Sequence, residues 1–259
     1  MKYVLGFNIG NTNTMMGIYE QDKIVPGNTY VFKTDKKITS HELGLIIKKN
    51  IGSLPDAISI EGLAFSSVVT EVNSTYHAMS ESFFNLKILE INSSIKSDIK
   101  IMYDNPAELG PDRIANAETA VKEYKDDCII IDLGTANTFC VIHKNGTFDG
   151  GLIGPGIGIT IDALAKKTSK LPRITFEKPD KFIATDTINA LKSGFFYGYI
   201  LMIKGIIAEI ERQYNKKFCV ILTGGLSKLI SEHIDRSHIT DPLLTMKGIK
   251  YLYDLNRNS

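Results

Sequence analysis

The sequence predicts an α/β fold built from two similar halves. Residues 4–19 and 128–143 each contain an apolar run, a short turn of glycine and small polar residues, and a second apolar run. This pattern is typical of a strand, a tight turn and a returning strand. Strand-like runs alternate with segments of helical periodicity in both halves, which favours sheets covered by helices. The chain has 259 residues, enough for one large or two medium domains.

The first half continues after its hairpin with alternating strands and helices. Ser40 is a fair N-cap for a helix that we expect to end near Gly52, a suitable C-cap. A later helix runs to about Tyr124, and we place the domain boundary within it, which gives domains of residues 1–118 and 119–259. The other expected elements are strands over residues 29–32, 63–69 and 86–91 and a helix over residues 75–84.

The second half repeats this plan. Residues 150–158 contain five glycines, and we interpret them as a loop whose backbone passes close to another group. Residues 187–214 predict one long helix, or two helices broken around residues 194–198. Their apolar residues recur every three or four positions, so one face is buried in the core or against another subunit. The other expected elements are a helix over residues 159–166, a strand over residues 218–222, a helix from Ser227 and a last helix from Asp241 to about Leu255.

The composition is that of an ordinary globular protein and disfavours several function classes. Hydrophobic residues make up 43% of the chain, charged residues 23%, and the formal net charge is +1. Because no excess of positive charge is present, we expect neither a nucleic-acid partner nor a membrane partner. No apolar run approaches the roughly 20 residues of a membrane span. No leader pattern precedes the first strand, so we expect a cytoplasmic protein.

The cysteines and histidines carry no recognisable metal pattern. Cys128, Cys140 and Cys219 lie in or beside apolar runs, which is typical of buried free thiols in a reducing compartment. The five histidines are dispersed, so a zinc site is not expected. The chain contains neither a Gly-x-Ser-x-Gly elbow nor a Walker-type loop. Their absence disfavours a hydrolase and a P-loop kinase.

The two hairpin tips predict a phosphate-binding site. The first tip carries Asn11, Thr12 and Thr14, and the second carries Thr135. Backbone amides in such turns can point at an anion because no bulky side chain blocks the approach. Either tip alone is explained by the chemistry of a tight turn. Both tips together, with a Thr-Gly-Gly sequence at residues 223–225, favour phosphate binding.

Two aspartates are candidates for catalytic or binding chemistry. Asp132 ends an apolar strand, where an unpaired carboxylate is costly, so we expect it to face a cation, a metal-bound water or several donors rather than only to form a turn. Asp112 lies between Pro111 and Arg113 at the entry to a helix. It is either an N-cap residue or a general base beside an arginine that tunes it or holds an anion. The local sequence does not separate these two alternatives.

A set of short motifs runs through essentially the whole chain. The motifs lie at residues 8–13, 103–106, 110–113, 132–135, 150–156, 170–173, 223–225 and 241–248. Each motif alone is weakly specific, but in this order and spacing the set resembles the type III pantothenate kinase family. The resemblance implies the actin-like ATPase fold, with two ribonuclease-H-like domains, the active site in the cleft between them, and a homodimer. It also implies ATP-dependent phosphorylation of pantothenate to 4′-phosphopantothenate, the first step of coenzyme A biosynthesis.

The resemblance further implies roles for the matching residues. Asp112 would accept the proton of the pantothenate hydroxyl, and Asp132 would bind potassium or ammonium, with Mg²⁺ accompanying ATP. Thr187 would bind pantothenate, reaching across the dimer. The other pantothenate contacts would be Tyr103, Gly110, Pro111, Asp112 and Arg113. The ATP contacts would be Asn8, Ile9, Gly10, Asn11, Thr12, Asn13, Thr14, Met15 and Thr135.

One position departs from the family pattern. Asn8 stands where the family has an aspartate that is expected to orient hydrated magnesium. Asparagine keeps the size and one carbonyl acceptor but loses a negative charge, so affinity for the metal should fall. Three outcomes follow: another carboxylate such as Asp132 compensates, activity is low, or the chain no longer catalyses. Because Asp112 and Asp132 are retained, we expect a phosphate-binding tip with a weakened metal contact.

Two alternatives to the pantothenate kinase hypothesis stay open. The first is a regulatory protein that keeps the fold and binds nucleotide or pantothenate without turnover. The second is a different sugar kinase, acid kinase or phosphatase on the same fold. The choice depends on the acceptor pocket around Tyr103, Arg113 and Thr187, which the sequence alone does not shape.

Overall fold

The structure, a computed structural model, describes residues 1–21, 23–52 and 59–257. Contacts divide the chain into two units. Unit 1 contains residues 1–125, 142–150 and 243–259, and unit 2 contains residues 126–141 and 151–242. The boundary between residues 118 and 119 stays a prediction.

The elements alternate along the chain as expected for a mixed α/β protein. The strands are β1 (Lys2–Ile9), β2 (Asn13–Glu20), β3 (Asn28–Lys33), β4 (Ser59–Ser67), β5 (Ile88–Glu90), β6 (Lys100–Ile101), β7 (Cys128–Leu133), β8 (Ala136–Ile142), β9 (Thr147–Pro155), β10 (Cys219–Thr223) and β11 (Ile239–Thr240). The α-helices are α1 (Ser40–Ile51), α2 (Asn73–Phe84), α3 (Pro111–Thr119), α4 (Ile157–Lys167), α5 (Thr187–Tyr214), α6 (Ser227–Ser231) and α7 (Leu244–Asn256).

The two sheets share one strand order. The first sheet has the order β3-β2-β1-β4-β5, and the second has the order β11-β10-β7-β8-β9-β6. Read from β9 to β11, the second sheet repeats the first and adds β6 at its outer edge. In the first sheet β2 is antiparallel to both neighbours, whereas β4 and β5 are parallel to β1. In the second sheet β10 is parallel to β7, and β11 is parallel to β10. The predicted duplication of an α/β plan is confirmed.

The core of unit 1 lies between the sheet and helices α1 and α2. Alternate residues of β1, such as Leu5 and Phe7, pack with Leu43 of α1 and Met79 of α2. Each such buried side chain stabilises the fold by about 1.5–3 kcal/mol. The N-cap of α1 is Thr39 rather than Ser40. Its hydroxyl accepts from the Glu42 amide, while the Glu42 side chain accepts from the Thr39 amide. This capping box satisfies two backbone donors, which a serine one residue later does not do.

The other face of this sheet is covered by α3 and α7, which pack closely together. The hydroxyl of Thr119 donates to the carbonyl of Leu244 at 2.8 Å, and the hydroxyl of Thr245 donates to Asn116 Oδ1 at 2.7 Å. A Cβ atom on Gly248 would lie 1.8 Å from the carbonyl oxygen of Ala115. The close approach of the two helices therefore requires glycine at this position. Helix α7 begins at Leu244, three residues after the expected start at Asp241. Its packing holds α3 in place, and the first turn of α3 carries Asp112.

The core of unit 2 lies between the second sheet and α5. Ile203 and Ile207 of α5 pack with Ile131 of β7 and Leu222 of β10. Helix α5 is continuous from Thr187 to Tyr214, so the break considered around residues 194–198 does not occur.

Two further expectations about unit 2 are corrected by the structure. The glycine-rich segment that was expected to be a loop is the second half of β9 as far as Pro155, because strand pairing continues through it. Helix α5 is long and apolar enough to cross a membrane, contrary to the expectation that no segment approaches this composition. A buried face that packs into a protein core accounts for the same composition.

Candidate active site

The turn between β1 and β2 exposes three polar residues. The amide of Gly10 donates to the carbonyl of Asn13 at 3.0 Å and closes the turn. Asn11, Thr12 and Asn13 are exposed, so their side chains and the adjoining backbone can reach a ligand. Ile9 is buried in the core, and Met15 is partly buried on β2. Any contact from Ile9 is therefore limited to its backbone.

The hydroxyl of Thr14 faces the interior of unit 1. Thr14 is 1% exposed, and its hydroxyl oxygen lies 2.9 Å from that of Thr34. Thr34 in turn donates to the carbonyl of Gly10 at 2.7 Å. Thr14 is one of the residues that the sequence suggests as a phosphate donor. Its hydroxyl supports the turn from the interior side, through Thr34. Sequence reasoning missed Thr34 because it follows β3, far from any motif, and only the β2–β3 pairing brings it to the turn.

Asn8 lies near the end of β1, beside a polar residue of β4. Asn8 and Ser66 are register partners in the parallel pairing of these strands, so their side chains lie on the same face of the sheet. Ser66 is fully buried, and within the described part of the chain its hydroxyl has no hydrogen-bond partner. A buried polar atom without a partner is costly, so this hydroxyl is suited to an interaction with a bound group.

Asp112 occupies the first turn of α3, where the N-cap is Gly110 and Pro111 is the first helical residue. The N-cap alternative for Asp112 is therefore wrong. Its Oδ1 accepts from the backbone amide of Arg113 at 2.8 Å. Burial raises the pKa of the Asp112 carboxyl group, and the amide and charge of Arg113 lower it in part. A Cβ atom on Gly110 would lie 2.6 Å from Asp112 Oδ1, so glycine makes room for the carboxylate.

Arg113 is buried between two aromatic rings. Its Cζ lies 5.4 Å from the ring centre of Tyr103 and 5.3 Å from that of Phe148. The two rings meet edge to face at 5.7 Å. Arg113 is 4% exposed, and the faces of the rings stabilise its charge after it has left water. A buried guanidinium held in this way is suited to bind a carboxylate or phosphate. Sequence reasoning missed Phe148, which reaches Tyr103 only because β6 pairs with β9.

Asp132 lies at the end of β7 in unit 2, next to the Thr-Gly-Gly turn that follows β10. Its register partner on β10 is Thr223. A Cβ atom on Gly224, whose φ is +88°, would lie 2.6 Å from Asp132 Oδ1. Two separate motifs of the sequence therefore meet at this carboxylate. Among the described residues no group of three or more His, Cys, Asp or Glu side chains could hold a metal ion. A cation at Asp132 would take its other ligands from backbone or hydroxyl oxygens or from a bound substrate.

Thr135 lies at the exposed tip between β7 and β8. Its carbonyl accepts from the amide of Gly156 at 3.1 Å. A Cβ atom on Gly156 would lie 2.3 Å from that carbonyl oxygen, so the expected close approach of the glycine-rich segment occurs at this tip. Beside it, Asn137 is fully buried and donates from Nδ2 to the carbonyl of Pro155 at 3.2 Å. The second tip is thus held by β9 and the start of α4.

Thr187 is the first residue of α5 and is exposed. The helix is capped by Asp186, which accepts from the amide of Asn189 at 3.0 Å.

Unit 1 brings together Tyr103 and residues 110–113. Unit 2 contains Thr187, Asp132 and Thr135, and it joins Asp132 to residues 223–225 and Thr135 to Gly156.

Comparisons with solved structures identify the fold. The chain superposes on the activator of 2-hydroxyisocaproyl-CoA dehydratase from Clostridium difficile, solved with bound ADPNP, with a TM-score of 0.56 at 14% identity, covering 99% of this chain and 96% of that one. It superposes on a ROK family glucokinase from Streptomyces griseus, solved with glucose and AMPPNP, with a TM-score of 0.56 at 16% identity, covering 99% and 100% of the two chains. At these identities the likeness shows the fold alone, which is that of the actin-like ATPases.

Comparisons of sequence identify the family. The model of the type III pantothenate kinase family matches residues 4–209. A type III pantothenate kinase from Listeria monocytogenes serotype 4a (strain HCC23) is 38% identical over 256 residues, which cover 98% of both chains. The match extends over both hairpins and over the Asp112 and Asp132 motifs. The chain belongs to the type III pantothenate kinase family.

Proposed function

We propose that the chain transfers the γ-phosphoryl group of ATP to pantothenate and forms 4′-phosphopantothenate, the first step of coenzyme A biosynthesis. The observation that carries this proposal is the pair formed by Asp112 and Arg113 at the start of α3. A half-buried carboxylate with a raised pKa lies beside a buried arginine that contacts two aromatic rings. Pantothenate has both matching groups, since it carries a hydroxyl to be deprotonated and a carboxylate to be bound. Full-length relatives named type III pantothenate kinase support the choice of substrate.

Asp112 acts as the general base in this proposal. The hydroxyl oxygen of pantothenate forms a bond to the γ-phosphorus while the bond from that phosphorus to the β,γ-bridging oxygen breaks and leaves ADP. The hydroxyl proton passes to the Asp112 carboxylate. A raised pKa makes Asp112 a better proton acceptor than an exposed aspartate. Because the transition state is loose, holding the groups in line contributes more than the strength of the base.

Arg113 and the rings of Tyr103 and Phe148 orient the acceptor. The guanidinium binds the pantothenate carboxylate, and the rings keep the guanidinium in place and exclude water from one side of it. Arginine suits this task because it remains charged when buried and has several donors in a fixed plane. The orientation of the hydroxyl toward Asp112 then follows from the fixed position of the carboxylate.

The β1–β2 turn, residues 10–13, binds the phosphates of ATP in this proposal. Its exposed residues are small and polar, and its backbone can approach an anion closely. Mg²⁺ would neutralise charge on the transferring phosphoryl group. The oxygen atoms of Asn8 and Ser66 fit this ion, because they lie on one face of the sheet and the Ser66 hydroxyl has no partner within the described residues. Asn8 and Ser66 are both neutral, whereas the family has an aspartate at position 8, so we expect Mg²⁺ to bind weakly.

We further propose that Asp132 binds potassium or ammonium. Its carboxylate packs against Gly224 and lies near Gly134, so the backbone of both turns is close to it. A monovalent cation there would offset the negative charge of Asp132 and of a phosphate bound at the Thr135 tip. Oxygen atoms are the ligands that these hard cations prefer.

A homodimer belongs to this proposal. Helix α5 presents an exposed stripe of small and apolar residues made up of Gly194, Gly198, Leu201, Gly205 and Ala208. Cβ atoms added to the three glycines would meet nothing within 4 Å, and Leu201 is 59% exposed. Stripes of small residues let two helices approach closely, so this face suits a second copy of the chain. Thr187 lies on the same helix face, at the start of α5, where it would reach a partner.

The cytoplasm is the proposed location. Cys128, Cys140 and Cys219 are free thiols. Cys128 and Cys219 are direct register partners on β7 and β10. Buried cysteines outside any disulfide are typical of proteins from a reducing compartment.

A coupled assay tests the proposed reaction. ADP formation is measured with pantothenate, ATP, magnesium and potassium, and 4′-phosphopantothenate is identified by mass. We expect turnover by the wild type and a higher affinity for magnesium in Asn8→Asp. Binding of both substrates without product, in wild type and Asn8→Asp alike, would establish the regulatory alternative instead. Product from another alcohol but not from pantothenate would assign a different kinase.

A further inference from the structure

Thr34, the first residue after β3, joins two residues of the β1–β2 turn and Thr14 of β2. Its hydroxyl donates to the carbonyl oxygen of Gly10 at 2.7 Å and lies 2.9 Å from the hydroxyl oxygen of Thr14. Its backbone amide donates to the carbonyl oxygen of Thr12 at 3.0 Å. We propose that Thr34 is a positioning residue that holds this turn in the shape that binds the phosphates of ATP. This inference rests on the proposed function, in which the turn is the phosphate site.

The hydroxyl hydrogens around Thr34 have one consistent arrangement. A threonine hydroxyl carries a single hydrogen, and that of Thr34 is directed at Gly10. The hydroxyl of Thr14 is therefore the donor in its bond to Thr34. A chain of two hydroxyl groups thus runs from Thr14 through Thr34 to the Gly10 carbonyl.

The chain of hydroxyls is anchored in the core of unit 1. Thr14 is 1% exposed, so water does not compete for its bond to Thr34. Hydrogen bonds in such a chain polarise and strengthen one another.

The bonds from Thr34 determine where the turn directs its amides. A peptide group is planar and trans, so fixing a carbonyl also fixes the amide of the next residue, which points the opposite way. The bond to the Gly10 carbonyl therefore directs the amide of Asn11 away from Thr34. The bond to the Thr12 carbonyl fixes the plane of the Thr12–Asn13 peptide group. A turn already held in this way binds phosphate without paying the entropy of ordering itself.

Direct binding and kinetics of Thr34→Val test the inference. Valine keeps the shape and the backbone amide but removes the hydroxyl. We expect the Kd for magnesium–ATP, measured by calorimetry, and the KM for ATP to rise about 5- to 10-fold, the effect of one to two lost hydrogen bonds. The KM for pantothenate should not change. Thr34→Ser retains the hydroxyl and should restore ATP affinity to within about twofold of wild type.

Thr39→Val is the matched control. Thr39 also uses its hydroxyl in a local bond, since it caps α1, but it does not contact the turn. This variant should lower Tm and leave ATP affinity unchanged. Equal ATP affinity in wild type and Thr34→Val, or an equal loss in Thr39→Val, would overturn the positioning role.

The outcome for the wild type separates the two proposals. If the wild type fails to bind ATP, both the phosphate site and the role of Thr34 are contradicted. If it binds ATP and phosphorylates pantothenate while Thr34→Val has the same ATP affinity, only the role of Thr34 is contradicted. Should Thr34→Val not fold, Thr14→Val carries the test. It keeps the side-chain shape, removes the hydroxyl that donates to Thr34 and should raise the Kd for ATP by about 2- to 3-fold. An unchanged Kd would count against the chain of hydroxyls.

Discussion

The guanidinium of Arg113 lies against the ring of Phe148, with 5.3 Å between Cζ and the ring centre. The two residues come from different elements, α3 and β9, and no motif contains both. Together with Tyr103, Phe148 holds a buried positive charge beside Asp112, in the first turn of α3. The pairing makes a core aromatic residue part of the proposed pantothenate site.

Phe148→Leu should therefore weaken binding of pantothenate. Leucine fills much of the same volume but offers no ring face, and a cation–π contact of a desolvated arginine contributes about 1–2 kcal/mol. We expect the KM for pantothenate to rise about 5- to 30-fold with little change in the KM for ATP. Phe196→Leu, on the buried face of α5, is the control with a similar loss of packing and no arginine. An equal effect in both variants would assign the loss to packing alone.

Asp112→Asn should lower turnover and raise stability at neutral pH. Loss of a general base lowers kcat by about 10²-fold or more. The folded-state pKa of Asp112 is raised by burial, so ionising this carboxyl costs free energy in the folded state once the pH exceeds its ordinary value. Removing the charge relieves that cost at neutral pH, and the gain disappears as the pH falls below the ordinary aspartate range.

The checks for Asp112 are a pH–rate profile and thermal unfolding at several pH values. In the wild type the acidic limb of kcat/KM should lie above the pH expected for an exposed aspartate, because the base must be deprotonated. The limb should be absent in Asp112→Asn. Wild-type turnover by that variant would remove Asp112 from the mechanism.

Asp132→Ala should abolish activation by potassium and raise the KM for ATP. The carboxylate is the charged oxygen donor that unit 2 places against the Gly224 turn, and its loss leaves a cation only neutral oxygens. The measurement is initial rate against potassium concentration, with sodium as the balancing ion. Asp132→Asn keeps the shape and one oxygen and should show an intermediate response. Unchanged potassium activation in Asp132→Ala would place the cation elsewhere.

Gly248→Ala should destabilise the protein and lower kcat together. The added methyl group would overlap the Ala115 carbonyl, which forces α7 away from α3. Overpacking of this kind costs about 1–3 kcal/mol. Because the first turn of α3 carries the proposed base, a shift of the helix also misplaces Asp112. Gly52→Ala is the control, since Gly52 has φ −60° and an added Cβ would meet only ordinary contacts. A loss of stability without loss of kcat would show that α7 does not position Asp112.

Leu201→Arg should convert the proposed dimer to a monomer. A charge at the centre of the α5 stripe would be buried without a partner between two copies. The mass in solution, measured by light scattering, checks this expectation. Leu45→Arg on α1 alters a residue of similar exposure, 54% against 59%, and should leave the mass unchanged. A wild type that is already monomeric at micromolar concentration would contradict the dimer itself.

The elements and the duplicated plan could be predicted because they follow from the local periodicity of apolar residues in the sequence. Apolar runs interrupted by small polar turns mark both hairpins. The expectations that the structure corrects concern element ends, the glycine-rich segment and the apolar composition of α5. That segment, residues 150–155, is rich in a residue that weakens strands, but pairing along the sheet overrides this local preference. In the same way, the packing of α5 on one sheet keeps it unbroken through Gly194 and Gly198.

The candidate site was predicted only where its residues belong to motifs. Asp112, Arg113 and Asp132 have chemistry that is visible in sequence. Thr34 and Phe148 are ordinary residues of a strand end and a strand, and they gain a role solely from pairing between distant segments. The N-cap of α3 is Gly110 rather than Asp112, because the φ and ψ angles of the backbone, and not the residue type, decide where the helix begins. Such contacts are long-range, so single-sequence patterns do not contain them.

The packing of α7 on α3 has a consequence for the order of folding. Thr119 and Leu244 lie 125 residues apart in the chain, yet α7 completes the surroundings of residues 111–119. The first sheet can form without α7, but α3 has no lasting partner until α7 packs against it. A chain in which α7 is unfolded would therefore expose an apolar sheet face and leave the first turn of α3 without support. Recovery of activity during refolding should follow the docking of α7 rather than formation of the first sheet.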